Sequence, residues 1–494
     1  MKLVIVGGGT AGWIAAFYIL KTNPTYNVTI IESSSIGIIG AGEGGTHILG
    51  SIIGNQDIDF GIDIKDFIKE TDATFKVGVK HENWSNQHRC YYNPLDLNLD
   101  NDNKITDRLA FLIANDEYIH SVSKLGMFID QDRSLIKNDE SEILRITGQS
   151  FHFDGSKVGK FFKKRVLSMG GSVIDATVEK IIHNENNAID SLKLSNNMTI
   201  PGDFFIDCTG FAQTLMKSLG AKWVSYNRHL LMNSAMPFVL DYVPPVWPKP
   251  LTISKALSAG WMWQIPTAER FGCGYVFCDK FITFNEAQNE IEALLGHEIT
   301  PIKQIKFDSG RLDAPWRKNC LALGLASAFI EPLEATSIHA TIIQIQKFVD
   351  YIGSNDFKKY NEEITEMYDE IKDFIILHYL GGKSGSPFWD YIKKSDIATD
   401  FVKNIIDISK TRLLTASDVP NKENSIGYNA WNQILAGLGF INKQVAKNHI
   451  TGREVEIIKD FEAWKKIQIR NMSSCKTNTD AVLHGYFRTN KEGI

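Results

Sequence analysis

The stretch LVIVGGGTAGWIAAFYILK, Leu3 to Lys21, decides the fold. Leu3–Val6 is an apolar run of strand length, which enters Gly7-Gly8-Gly9-Thr10-Ala11-Gly12 and leaves as the helical stretch WIAAFYILK. In a strand–turn–helix unit of this kind, Gly7 permits the tight turn. Gly9 lets the backbone approach a pyrophosphate, and Gly12 lets the helix pack closely on the strand. A phosphate would rest on the helix N-terminus, beside Thr10 and Ala11, where unpaired N–H groups and the helix dipole favour an anion. A second strand, NVTIIE, ends in Glu32, about twenty residues after Gly12, where a carboxylate can accept hydrogen bonds from a ribose. A glycine-rich turn also serves packing alone, but strand, helix, second strand and terminal acid together point to a dinucleotide site. The short hydrophobic strand in GDFFIDCTGF, Gly202–Phe211, ends in Asp207. It is the kind of strand that returns the chain to the same sheet in flavoproteins, which favours FAD over NAD; the alternative is an ordinary buried strand with a turn.

Working outward, 494 residues suffice for two or three domains, or for one large cofactor-binding unit with an added module. The chain is 43% hydrophobic and 22% charged with a net charge of -5, so nucleic acid is not an expected partner. Six scattered cysteines form no CxxC pair, which suits a reducing cytoplasm, and no metal site is expected. No apolar run of about 18 residues appears, so no membrane association is expected.

GIIGAGEGGT, residues 37–46, reads as a loop, a mobile strap over the cofactor, because glycine at this density destabilises helix and strand alike. The polar segment SNQHRCYYNPLDLNLDNDNK, residues 85–104, reads as an exposed insertion whose tyrosines could face a pocket. Helices are expected over residues 153–171, 284–296 and 338–380, and within GREVEIIKDFEAWKKIQIRNM. The break GGKSGSPFW marks a soft boundary. The expectation is a mixed α/β chain with a Rossmann-type FAD-binding module over 1–380, carrying substrate-side insertions near 85–150. A mainly helical substrate module follows over 381–494.

GGGTAGW near the start, GWMWQIP at Gly260–Pro266 and FIEPLEATSI at Phe329–Ile338 together resemble the flavin-dependent halogenases of the tryptophan-halogenase family. Between them FKVGVKHENW, FHFDG, GDFFIDCTG, RFGCGYVF and HYL with SPFW match in order, so the resemblance covers most of the chain. It implies an enzyme in which reduced FAD and O2 form a flavin hydroperoxide that oxidises halide to hypohalous acid. That oxidant would pass through a tunnel to a lysine beside an electron-rich aromatic substrate, and a separate flavin reductase would supply the FADH2. A homo-oligomer stays open.

The resemblance places the reactive lysine at Lys76 and the catalytic carboxylate at Glu334. Lys80 competes with Lys76, since two lysines four apart in one strand share a face. Glu334 could instead cap the helix that follows. Further cofactor contacts are implied at Thr177, Asp207, Leu325 and Ile338, halide contacts at Thr336 and Ser337, and tunnel walls at Trp261, Trp263 and Pro266. Where the family reads Glu-Ser-Thr-Gly this chain has Glu334-Ala335-Thr336-Ser337. A side chain and a φ restriction at the glycine position would shift halide preference toward bromide or iodide. The segment before Ala436-Gly437-Leu438-Gly439 is short and offers Tyr428 and Trp431, which with Tyr92 are the candidate substrate aromatics. An indole or phenol other than free tryptophan is expected. The rival readings are an FAD-dependent aromatic monooxygenase and a non-catalytic FAD-fold binding protein.

Overall fold

The computed structural model describes residues 1–36, 43–54, 60–98, 103–139, 143–144, 148–242, 249–420, 422 and 425–483. Among them, Lys2–Val6 lies between Phe204–Asp207 and Asn27–Glu32, in parallel register with both, and Ser172–Asp175 extends the sheet beyond Asn27–Glu32. Cys320–Ala322 and the antiparallel edge Trp316–Arg317 complete six strands on the other side. The central strand is apolar throughout because both of its faces are buried; Leu3 and Ile5 are fully inaccessible. The helix Thr10–Thr22 is buried from Gly12 to Leu20, which explains why its sequence shows little amphipathic contrast. It packs on the helix Gly155–Ser168, whose start is capped by the Asp154 carboxylate accepting from the backbone of Ser156 and Lys157.

A second sheet of seven strands runs Ile305–Lys306, Ser234–Asp241, Arg270–Phe277, Gly260–Pro266, Leu251–Ala256, Gly78–Glu82 and Cys90–Pro94. All its pairings are antiparallel except Leu251–Ala256 with Gly78–Glu82. Three short strands, Glu43–Gly44, Ser150–Phe153 and Thr74–Lys76, bridge the region between the two large sheets. From Thr336 onward the chain is mainly helical, with Thr336–Ile352, Phe357–Tyr379, Pro387–Lys394, Asp400–Ser409, Tyr428–Leu438, Lys443–Ile450 and Glu454–Ser473.

Two local expectations are corrected. The segment read as an exposed insertion contains the strand Cys90–Pro94, with Tyr91 and Asn93 buried: pairing with Gly78–Glu82 satisfies its backbone and turns these side chains inward. The glycine-rich segment read as a loop contributes the strand Glu43–Gly44 and leads into the helix His47–Ile52; its residues 37–42 lie outside the described residues. The largest apolar cluster runs from Leu3 to Ala481, so residues on both sides of 380 share one core. The strand Cys475–Thr477 pairs back onto Arg133–Lys137. No helix among the described residues is long and apolar enough to cross a membrane.

Candidate active site

At the first turn, Gly7 has φ +117°, and a Cβ there would stand 2.2 Å from the Cys208 carbonyl oxygen. A Cβ on Gly12 would stand 2.0 Å from the Gly7 carbonyl oxygen, so both glycines are demanded by the fold itself. Gly9 differs: a Cβ there would meet no protein atom within 4 Å, and Gly9 caps the helix without any side-chain hydrogen bond. The space beside Gly9 at the helix N-terminus is therefore clear of described protein atoms, as a bound phosphate requires. Glu32 sits at the end of its strand, accepting from Trp13 Nε1 at 3.2 Å and pairing with Lys163. Gly9→Ala is expected to fold normally, with an unchanged Tm, while losing at least tenfold in FAD affinity. Titration of FAD against protein fluorescence checks it, and unaltered affinity would remove phosphate from this turn.

Asp207 ends the returning strand in register with Val6, but it offers no free acceptor. Its Oδ1 accepts from Thr209 N and Oγ1 at 3.0 and 2.6 Å, and its Oδ2 from the amides of Leu215 and Met216 at 2.8 and 3.0 Å. Through these bonds Asp207 builds the Cys208–Gly210 turn against which Gly7 packs. Thr177 is exposed just past the strand that pairs with Glu32. Leu325 lies in the turn Gly324–Ala326, packed against Ala11, and Ile338 in the first turn of Thr336–Ile352.

The structure separates the two lysines. Lys76 ends the strand Thr74–Lys76, whereas Lys80 belongs to Gly78–Glu82 in the other sheet. Lys80 is partly exposed and pairs with Glu82 at 2.6 Å. Lys76 is fully buried, its Nζ lies against Gly44, and that nitrogen has no hydrogen-bond partner among the described residues. Burial pulls its pKa down to about 8, partly offset by the Glu334 charge.

Glu334 is buried and does not cap the helix, whose N-cap is Ala335 without a side-chain bond. Its Oε1 accepts from His81 Nε2 at 2.8 Å and His378 Nε2 at 3.0 Å, and its Oε2 from Asn93 Nδ2 at 3.0 Å. Burial alone would raise this carboxyl, but the two imidazoles outweigh it and hold the pKa well below the usual carboxylate range. The sequence reading missed His81, His378 and Asn93, although His81 and His378 stand inside the matched stretches FKVGVKHENW and HYL. The second acid, Glu331, is separate: its Oε2 accepts from Trp261 Nε1 at 2.7 Å and from the Tyr379 hydroxyl, and burial pushes it up to about 7.

Glu334 reaches a cavity of about 290 Å³, lined by Asn93, Thr336, His47, His339, Phe374 and Tyr428 among others. His339 Nδ1 bonds Thr46 Oγ1 at 2.8 Å, and the His47 and His339 rings meet edge to face. Burial lowers His47 to about 4 and His339 to about 3, so both line the cavity as neutral imidazoles. Of the three candidate aromatics only Tyr428 lines it. Trp431 is fully buried between Phe374 and Phe401, and Tyr92 is half-buried against His120 and Lys80; neither lines this cavity. Tyr92 sits on the other face of its strand from Asn93.

Thr336 lines the cavity and Ser337 follows it in the first helical turn. The left-handed residue here is Ala335, φ +56°, so the φ restriction expected at the glycine position falls two residues earlier and Ser337 carries none. GWMWQIP is a sheet strand throughout. Trp261 is buried and donates to Glu331, while Trp263 is half-buried and seated on Gly274, where a Cβ would stand 2.0 Å from the indole. The Pro266 carbonyl accepts from Thr74 Oγ1 at 2.7 Å, tying this strand to the one that carries Lys76.

Among curated proteins, tryptophan 7-halogenase RebH of Lentzea aerocolonigenes is 28% identical, covering 89% of this chain and 90% of its own. Tryptophan 6-halogenase ThaL of Streptomyces albogriseolus is also 28% identical, over 89% of each chain. Among solved structures, a flavin-dependent halogenase from Xanthomonas campestris superposes with a TM-score of 0.86 at 25% identity, covering 98% of both chains. The tryptophan halogenase family model matches residues 2–451, so this chain belongs to the tryptophan halogenase family.

Proposed function

We propose that this protein is a flavin-dependent halogenase that places a halogen on an electron-rich aromatic small molecule of indole or phenol type. The observation that carries the reading is a fully buried Lys76 amine, without a hydrogen-bond partner among the described residues, that feels the charge of the anchored Glu334 carboxylate, which itself lines a cavity. The open space beside Gly9, with Glu32 next to Gly8, suits the pyrophosphate and ribose of FAD, and Leu325 and Ile338 are further cofactor contacts in this reading. Reduced FAD with O2 supplies the oxidising power that turns halide into an electrophilic halogen species, and a separate flavin reductase supplies the FADH2.

This chain's own residues do the rest. Lys76, dry and easily deprotonated, either takes the halogen of hypohalous acid on its nitrogen, its lost proton leaving with the hydroxide as water, or holds the intact acid by hydrogen bonding. Glu334, fixed as an anion, accepts the proton that the aromatic carbon loses on substitution. Thr336 and Ser337 hold the halide at the helix N-terminus. Trp261, Trp263 and Pro266 wall the route between cofactor and Lys76, and residues 381–494 supply the substrate side. Ser337, where the family has glycine, puts a side chain where backbone would approach the halide, and in this reading the preference shifts from chloride toward bromide or iodide.

Incubation with FAD, a flavin reductase, NADH and equal chloride, bromide and iodide over indoles and phenols tests both points by mass-spectrometric isotope pattern. Brominated or iodinated product in at least tenfold excess over chlorinated is expected. Chlorinated product in excess would overturn the halide order, and hydroxylated product without halogen would replace the whole reading with a monooxygenase.

A further inference from the structure

The proton inventory of the buried cluster is fixed by its hydrogen bonds. His378 Nδ1 lies 2.9 Å from the Phe374 carbonyl oxygen, which only accepts, so Nδ1 carries a proton. His378 Nε2 lies 3.0 Å from Glu334 Oε1, and an ionised carboxylate also only accepts, so Nε2 carries a proton as well. His81 differs. Its Nε2 donates to the same oxygen at 2.8 Å, while its Nδ1 has no partner, which is the neutral tautomer. Lys76 Nζ has no partner either, although it is fully buried.

We infer that His378 is a positioning residue that stands as the counter-cation of Glu334, so that the proton of the site resides on His378 and Lys76 is left as a free amine. This rests on the halogenase reading of Lys76 and goes beyond it. One anion then faces one cation, and the buried cluster is neutral. Moving that proton to Lys76 would bury three N–H donors without acceptors and strip His378 of one of its two hydrogen bonds; adding a second proton would bury an unpaired cation. The groups facing His378 are Glu334 and His81, with the rings of Trp84, Tyr91 and Phe374 around it. Tyr91 stays a neutral phenol, because burial and the Glu334 charge raise it well above its ordinary value. The ligand atoms of His81, Glu334 and His378 all lie within 4.8 Å of one another, as in metal centres. However, a metal-bound His81 would need an acceptor for its Nδ1 proton, and none is present.

Long-range proton–nitrogen NMR on the full chain with ¹⁵N-labelled histidine reads the assignment directly, without any turnover. The expected spectrum at pH 8 contains one imidazole with both nitrogens protonated, lost in His378→Gln and in Glu334→Gln but retained in His81→Gln. Absence of that imidazolium in the unmodified chain, or its survival in a folded His378→Gln, overturns the inference. So does stoichiometric uptake of added zinc at pH 7 with loss of the Nε2 protons of both histidines. In turnover, His378→Gln leaves Lys76 as the cation facing Glu334, so the rising limb of halogenation against pH moves up by at least one unit. The rate then falls about tenfold at pH 7 and is regained at higher pH. A uniform loss at every pH would mark a merely structural histidine. If the chain proves not to halogenate, the NMR result still stands or falls alone.

Discussion

Lys76→Met is expected to abolish halogenation, lowering product formation at least a thousandfold while FAD binding and overall structure persist. Methionine keeps the length and apolar stem that the fully buried side chain fills, and removes only the nitrogen. Nothing structural depends on that nitrogen, since it has no hydrogen-bond partner. An amine in such a place opposes folding: burial lowers its pKa to about 8 from an ordinary 10.5, so the folded chain holds its proton less tightly than the unfolded one. The native Lys76 therefore costs stability below pH 8, and the cost fades as pH rises from about 8 to about 10. Hence Tm should be no lower in the methionine variant, with the largest gain near neutral pH. In the native enzyme the rate should climb with pH through about 8, because only the neutral amine accepts an electrophile. Isotope-resolved mass spectrometry under a saturating supply of reduced flavin checks the loss. Product above about one part in ten of the native level would remove Lys76 from the chemistry.

Glu334→Gln should cost 10²–10⁴ in kcat, the usual worth of a positioned general base, with FAD affinity unchanged. The substitution is nearly isosteric but replaces an acceptor-only group with one that also donates. Three donors converge on this carboxylate, from His81, His378 and Asn93, so the new amide N–H must face a donor. Leaving one such group unpaired in a buried site costs about 1–3 kcal/mol, so Tm should fall as well. Glu331→Gln serves as the comparison, because Glu331 bonds Trp261 and Tyr379 rather than the cluster beside Lys76. If the two variants lose activity equally, the base is not singled out by Glu334.

The Rossmann-type unit was readable because its signals are local. A strand, a glycine turn, a buried helix and a second strand ending in an acid occur within the first thirty-two residues, and each follows from backbone sterics or from burial on both faces. Asp207 shows the limit of such reading: the sequence places its strand beside Lys2–Val6, but only the fold shows its carboxylate consumed by four protein hydrogen bonds. Period could not separate Lys76 from Lys80. Their strands enter different sheets, which leaves one dry and the other paired with Glu82 at the surface.

By itself, the sequence determined the α/β class and the family resemblance, and through that resemblance it pointed to Lys76 and Glu334, all carried by contiguous motifs. Tertiary structure alone decided which groups surround them. His81, Asn93, Glu334 and His378 come from two neighbouring strands, a turn and a long helix, and nothing in their spacing along the chain announces that they meet. It also decided that Tyr428 faces the cavity while Trp431, three residues on, is buried between Phe374 and Phe401. The physical reason is that burial and hydrogen-bond partners, which set the charge of a lysine or a carboxylate, are properties of neighbours in space.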